Sequence, residues 1–177
     1  MEQVMMPVQR RSLVVVAGLP GAGKSTLLAN VGPGVTVVDS DQIRNWLAAM
    51  LPSGTPYARY RPLVHVIHRI RIALAAIFAP GPVAVHDPAT GVGTRLTLVV
   101  IGALSWRVLH YIWVEVTPEE ALGGQRARGR VLRKNSFARH VHRARRLDLS
   151  RPPRGWRSVT VVGRRTRLCL RSEPVGP

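Results

Sequence analysis

Apolar positions along the chain fall into two kinds of run. Short, β-branched blocks bounded by turn residues predict strands: SLVVVA at 12–17, VTVVD at 35–39, VAVHD at 83–87 and RVLHYIWVEV at 107–116. Between them, longer stretches with apolar residues three or four apart predict helices over about 41–51, 61–79 and 93–105. A further helix is expected from Lys24 to the glycines near 31–34, and Ser40 is the expected cap of the helix that follows. The segment RIALAAIFA within 61–79 reads as a core face, and PGP stops that helix. TPEEAL is a helix start: Thr117 at the N-cap, Pro118 in the first turn and Glu120 closing a capping box, with the helix running into GQRARGR. SFARHVHRARRL predicts another helix, capped by Ser136. Phe137, Val141 and Ala144 line one side of it, and Arg139, Arg143 and Arg146 another. SVTVV and TRLCLR, divided by GRR, read as a last strand and a hairpin partner.

Strands alternating with helices predict an α/β fold, a parallel sheet with helices on both faces, in one domain over residues 1–177. Ligands in such sheets bind outside the carboxyl ends of the strands. With 177 residues and 46% hydrophobic content the chain is long and apolar enough for a packed core. No uncharged apolar run has the length of a membrane span, no signal-peptide pattern is read at the N-terminus, and Cys169 stands alone. A cytoplasmic setting without a membrane partner is the expectation.

Charge changes the picture of the last third. Residues 1–125 hold ten Lys or Arg and seven Asp or Glu, a net of +3. Residues 126–177 hold sixteen and two, a net of +14. Such a segment attracts phosphate or nucleic acid, which makes residues 126–171 a candidate nucleic-acid surface. The competing reading is a solvated surface whose 24 Arg against two Lys reflect codon composition.

The stretch AGLPGAGKST, 17–26, directly follows the first predicted strand and contains Gly18, four residues, then Gly23, Lys24 and Ser25. This is the phosphate-loop pattern. Its glycines allow successive backbone N–H groups to turn toward one anion, and the helix that starts at Lys24 adds its positive end. Nucleotide contacts are therefore expected from Gly18, Leu19, Pro20, Gly21, Ala22, Gly23, Lys24, Ser25 and Thr26, with Lys24 on the β- and γ-phosphates of a nucleoside triphosphate and the Ser25 hydroxyl on Mg²⁺. The further signatures of a switch GTPase, Asp-x-x-Gly and Asn-Lys-x-Asp, do not occur.

Two more groups stand at strand ends. VVDSDQIR places Asp39, Asp41 and Arg44 after the second strand. Asp41 suits the general base or a Mg²⁺ ligand, and Arg44 suits a substrate phosphate or carboxylate. Asp39 competes with Asp41 for the role of base. VHDPATGVGTR places Asp87, Thr90 and Arg95 after the third strand as substrate contacts, with Asp87 also a candidate for Mg²⁺. Capping and turn roles compete with these readings. His65, His68, His140 and His142 read as packed or surface residues. The four Trp are too scattered for a base-stacking platform.

GLPGAGKST, DSDQIR, HDPATGVGTR and RARGR, in that order over residues 12–150, resemble the small P-loop kinases of the polynucleotide-kinase and zeta-toxin type, a group labelled AAA-domain ATP-binding proteins. The resemblance implies a P-loop NTPase three-layer sandwich around five parallel strands, with a mobile Arg-rich lid over about 123–136. It implies Asp41 as general base, Arg44 on the substrate phosphate, and a lid arginine on the transferring phosphoryl group. Arg126 is the first candidate for that last role, with Arg128 and Arg130 as nucleotide contacts. An ATP-dependent phosphotransferase acting on a polynucleotide 5′-hydroxyl or a small molecule is the leading expectation. A regulatory ATP-binding module with slow hydrolysis is the alternative.

Overall fold

A computed structural model describes residues 3–129 and 131–172. Its main sheet has five parallel strands in the order β3-β4-β2-β5-β6: Ser12–Gly18 (β2), Thr36–Asp39 (β3), Val83–His86 (β4), Val108–Glu115 (β5) and Ser158–Gly163 (β6). β2 is buried at every position, as a central strand covered on both faces must be. Alternate residues serve opposite layers. Val14 and Val16 join one core cluster, with Leu27, Leu28, Val31 and Leu168. Leu13, Val15 and Ala17 join the other, with Ile72, Leu98 and Trp156.

The second cluster is roofed by Tyr57–Phe78 (α3) and Val92–Leu104 (α4). The first is closed by the short helix Lys24–Leu28 (α1) and by an unexpected element, a separate two-stranded parallel sheet. Gln3–Val8 (β1) pairs there with Arg167–Ser172 (β7), in register from Gln3 opposite Arg167 to Val8 opposite Ser172. The expected hairpin between the last two strands is therefore not formed. β6 joins β5, while β7 leaves to pair with the N-terminal strand. Apolar side chains from β1 and β7 pack on α1, and that long-range burial outweighs the local turn.

Helix boundaries differ from expectation for local reasons. Ser40–Met50 (α2) is capped by Asp39, whose carboxylate accepts from the Asp41 N–H, so Ser40 is the first helical residue and not the cap. Pro118–Arg126 (α5) has the expected capping box at Thr117 and Glu120. Lys134–Ala144 (α6) starts after Arg133, which leaves Ser136 buried inside the first turn. RIALAAIFA is only half core: Ile72 and Ala76 are buried, while Leu74, Ile77 and Phe78 are exposed. No helix among the described residues is long and apolar enough to cross a membrane.

One buried arginine holds the edge of the sheet opposite the phosphate loop. Arg107, 4% exposed, donates to the carbonyls of Ala76 and Ala79 at the end of α3 (both 2.5 Å), to Gly81 at 2.8 Å and to Ser12 at 3.2 Å. The cation satisfies helix-end carbonyls and sits at their negative end. Arg107→Met leaves these four carbonyls, two buried and two half-buried, without that donor and is expected to cost about 3 kcal/mol, a fall of roughly 6–12 °C in Tm by thermal scanning. A fall under about 2 °C would refute this role.

Candidate active site

The strand order reverses around β2. The chain runs from β2 out to β3, returns to β4, then crosses to β5 on the other side of β2. The resulting crevice at the carboxyl ends of the strands holds every cleft-lining group described here. At its floor, Gly23 (φ 96°) is the left-handed N-cap of α1, a conformation glycine adopts without strain, so the loop can turn directly into the helix.

Lys24 is 3% exposed and donates to the carbonyls of Gly18 (3.0 Å) and Leu19 (2.9 Å). Burial lowers its pKa to about 8. The nearby Asp87 carboxylate opposes that shift and the Arg128 guanidinium adds to it. Leu19 and Ala22 face the core, and Thr26 is exposed, so the groups the loop has to offer a ligand are its backbone N–H groups, Lys24 and Ser25.

The loop is fixed from above by α5. A Cβ on Gly124 would lie 2.2 Å from the Gly21 carbonyl oxygen, and one on Gly21 (φ 98°) would lie 2.0 Å from the Ala121 carbonyl oxygen. Two glycines thus permit backbone-to-backbone contact between loop and helix. Next to them Gln125, 2% exposed, donates to the Pro20 carbonyl at 2.8 Å and accepts from the Leu132 N–H at 2.9 Å. One side chain therefore ties the phosphate loop to the segment between α5 and α6.

Opposite the loop, Asp39, Asp41 and His86 bring possible ligand atoms within 4.8 Å of one another. His86 Nδ1 lies 2.5 Å from Asp39 Oδ1 and 3.3 Å from Ser25 Oγ. Burial alone would raise the Asp39 carboxyl. The hydrogen bond and charge offered by His86 outweigh it and hold Asp39 well below the usual carboxylate range. Two carboxylates and a hydroxyl form a hard oxygen donor set suited to Mg²⁺, with His86 orienting Asp39. Asp41 lies 3.9 Å from Arg128, and Arg44 stacks on the Tyr57 ring at 4.2 Å.

Asp87, 5% exposed, is 3.1 Å from Arg69 and accepts from the Ala89 N–H. Its oxygens are engaged in holding the loop after β4, where Ala89 has φ 45°. A metal role suits them less than it suits Asp39. Arg95 donates to the Ala89 and Thr90 carbonyls and steadies that same loop from outside the main cleft. Thr90 Oγ1 meets His140 Nδ1 at 3.0 Å. His140 and His68 both have pKa values lowered to about 4, chiefly by burial, and are neutral at pH 7.

Among the three arginines of the expected lid, Arg128 lines the cleft. Arg126 is exposed at the end of α5 outside the cleft lining, and Arg130 lies outside the described residues. His65, His68 and His140, set aside in the sequence as packed or surface residues, all line the cleft, and so does His86. The signal for His86 was its place directly before Asp87 at a strand end. Nothing in the local pattern marks the others.

The sequence profile described as AAA domain matches residues 13–152. The chain belongs to the AAA-domain family. Similar folds among solved structures, all of low identity, are those of P-loop kinases and their kin. Kti12 from Chaetomium thermophilum, solved with ADP-AlF3, matches at 16% identity and TM-score 0.59 over 86% of this chain and 89% of that one. A chain of the Pnkp1/Rnl/Hen1 RNA repair complex matches at 14% identity and TM-score 0.61, covering 79% of this chain and 47% of that one. A gluconokinase from Sinorhizobium meliloti 1021 matches at 16% identity and TM-score 0.53, covering 89% and 85%. No curated protein matches by sequence. The AAA-domain chain thus has the P-loop kinase architecture, a five-stranded parallel sheet with a phosphate loop after its central strand.

The contact between Gly21 and Gly124 is testable in this AAA domain. Gly124→Val must displace the phosphate loop. It is expected to weaken binding of a fluorescent ATP analogue by at least about tenfold, about 1.4 kcal/mol, with far-UV circular dichroism unchanged. Unaltered affinity would show that the loop does not depend on α5.

Proposed function

We propose that this AAA-domain protein transfers the γ-phosphoryl group of ATP to a hydroxyl of an anionic acceptor, with a polynucleotide 5′-hydroxyl fitting best. The observation that carries this reading is the shape of the cleft. Beyond the phosphate loop it continues past Asp87 into a groove lined by Arg61, Arg69, Arg139 and Arg143 together with His65 and His140. The groove then reaches the start of α4 beside Arg146. Cations spaced along a groove that leaves the phosphate loop suit an acceptor carrying several phosphates. Arg139, Arg143 and Arg146 belong to the strongly basic last third, which gives that charge a use. The buried atoms His68 Nδ1 and Arg69 Nη1, on side chains next to Asp87, have no hydrogen-bond partner among the described residues. The likeness to a chain of an RNA repair complex points the same way.

In this reading Lys24 turns from the Gly18 and Leu19 carbonyls to the β- and γ-phosphates, while backbone N–H groups of the loop hold the phosphate oxygens. Ser25 and Asp39 would hold Mg²⁺, which would offset phosphate charge during transfer. Asp41 accepts the proton of the attacking hydroxyl. A new bond forms from the acceptor oxygen to the γ-phosphorus, the bond from that phosphorus to the β,γ-bridging oxygen breaks, and ADP leaves. Arg44, held flat by Tyr57, binds an acceptor phosphate. Arg128, near Asp41, meets the charge on the transferring group and takes the place expected of Arg126.

The test is label transfer from γ-labelled ATP to 5′-hydroxyl DNA or RNA, run beside a pool of small hydroxylated metabolites. Asp41→Asn is expected to lower turnover roughly 10²–10⁴-fold with ATP affinity nearly unchanged, and Lys24→Ala to lower both. Arg143→Ala is expected to raise the KM for the oligonucleotide and reduce its salt slope by about 1. Label on a small metabolite alone would exclude the polynucleotide. ATP hydrolysis without any labelled acceptor, surviving Asp41→Asn, would favour the regulatory module.

A further inference from the structure

The outer faces of α3 and α4 are apolar where a solvated helix should be polar. On α3, Val66, Ile70, Leu74 and Phe78 are 49–75% exposed and follow one another at four-residue spacing. On α4, Val92, Leu96, Val100 and Leu104 do the same at 54–77% exposure, and Trp106 just beyond is 85% exposed. The opposite sides of both helices, Val64, His68, Ile72 and Ala76 on α3, and Leu98 and Gly102 on α4, are the ones packed on the sheet. The two helices lie side by side, both connecting parallel strands, so both ridges face away from the same side of the sheet.

We propose that this face is the contact between two copies of the chain, related by a two-fold axis. Rows of side chains four apart are the ridges that interdigitate in the commonest class of helix packing, at a crossing angle of about −50°. Two such ridges with a groove between them match the same surface turned through a half rotation, as an isologous interface requires. Size agrees: the eight ridge residues and Trp106 leave on the order of 1,000 Å² open, against about 800 Å² per partner in a standard interface and roughly 300–600 Å² for the largest patch on a monomer. Neither ridge carries a charge; Arg95, Arg143 and Arg146 line the surface beside Val92 at one end of the α4 ridge, so these cations stand at the rim of the contact. The cleft, at the carboxyl ends of the strands, stays open.

The experiment is light scattering coupled to size-exclusion chromatography on the full chain at micromolar concentration. The wild type is expected at twice the 19.4 kDa protomer mass. Leu74→Glu combined with Leu96→Glu is expected at protomer mass, with far-UV circular dichroism and ATP binding unchanged. Ala103→Arg, which adds bulk at an exposed position beside Leu104 and removes no ridge residue, is expected to give the same shift and covers the case in which the double variant does not fold. A wild type at protomer mass overturns the proposal. Folded variants that keep twice the mass also overturn it. A protomeric wild type that cosediments with phosphatidylglycerol vesicles would assign the face to a lipid surface instead.

Discussion

A buried ammonium that hydrogen-bonds two carbonyls, and no carboxylate among the described residues, organises this molecule. Lys24 is held by two carbonyls of its own loop, and burial brings its pKa down to about 8 from the ordinary 10.5. An unfolded chain keeps that proton up to about 10.5, whereas the folded one releases it near 8. Over that window this group alone makes the nucleotide-free protein more stable as pH rises. Below it, the charge stays buried at a cost to stability. A phosphate arriving in the loop replaces neutral carbonyls with an anion, so a cost in the free protein becomes an attraction in the complex.

The neighbours of Lys24 follow from that requirement. Charge can be focused there only if the loop is rigid and dry, and the contact of Gly21 with α5 and the double hydrogen bond of Gln125 supply both. The opposite wall carries the acids: Asp39 held ionised by His86, and Asp41 one turn into the cleft at the start of α2. Arg107 steadies the other end of α3 by capping it from beneath, far from the chemistry. The two ends of the sheet are thus built around different kinds of cation, one held by two carbonyls of its own loop and one by four carbonyls of other segments.

Much of this was legible in the chain because it is local. The phosphate loop, the capping box at Thr117 and Glu120, and four strands with their parallel arrangement follow from residues close in sequence. Pairing β1 with β7 was not legible, because it depends on burial between segments more than 150 residues apart that neither segment signals alone. The outward ridge of α3 was hidden for a related reason: its apolar spacing is the same whether the face meets a core or a partner. Arg128 and Arg126 differ by two residues, and only the turn ending α5 decides which one enters the cleft. His65, His68 and His140 read as packed or surface residues in the sequence because their place in the cleft comes from β4, α3 and α6 converging, not from spacing along the chain.

The central claim, that Lys24 gives up its loop carbonyls for nucleotide phosphates, is tested most directly by calorimetry of ATP binding in buffers of differing ionisation enthalpy. With the free lysine near pKa 8 and the phosphate-bound lysine fully charged, binding at pH 9 is expected to take up close to one proton per ATP, and at pH 7 about a tenth of one. Binding at pH 9 with no proton uptake would contradict the account, because Lys24 would then not be the group that meets the phosphates.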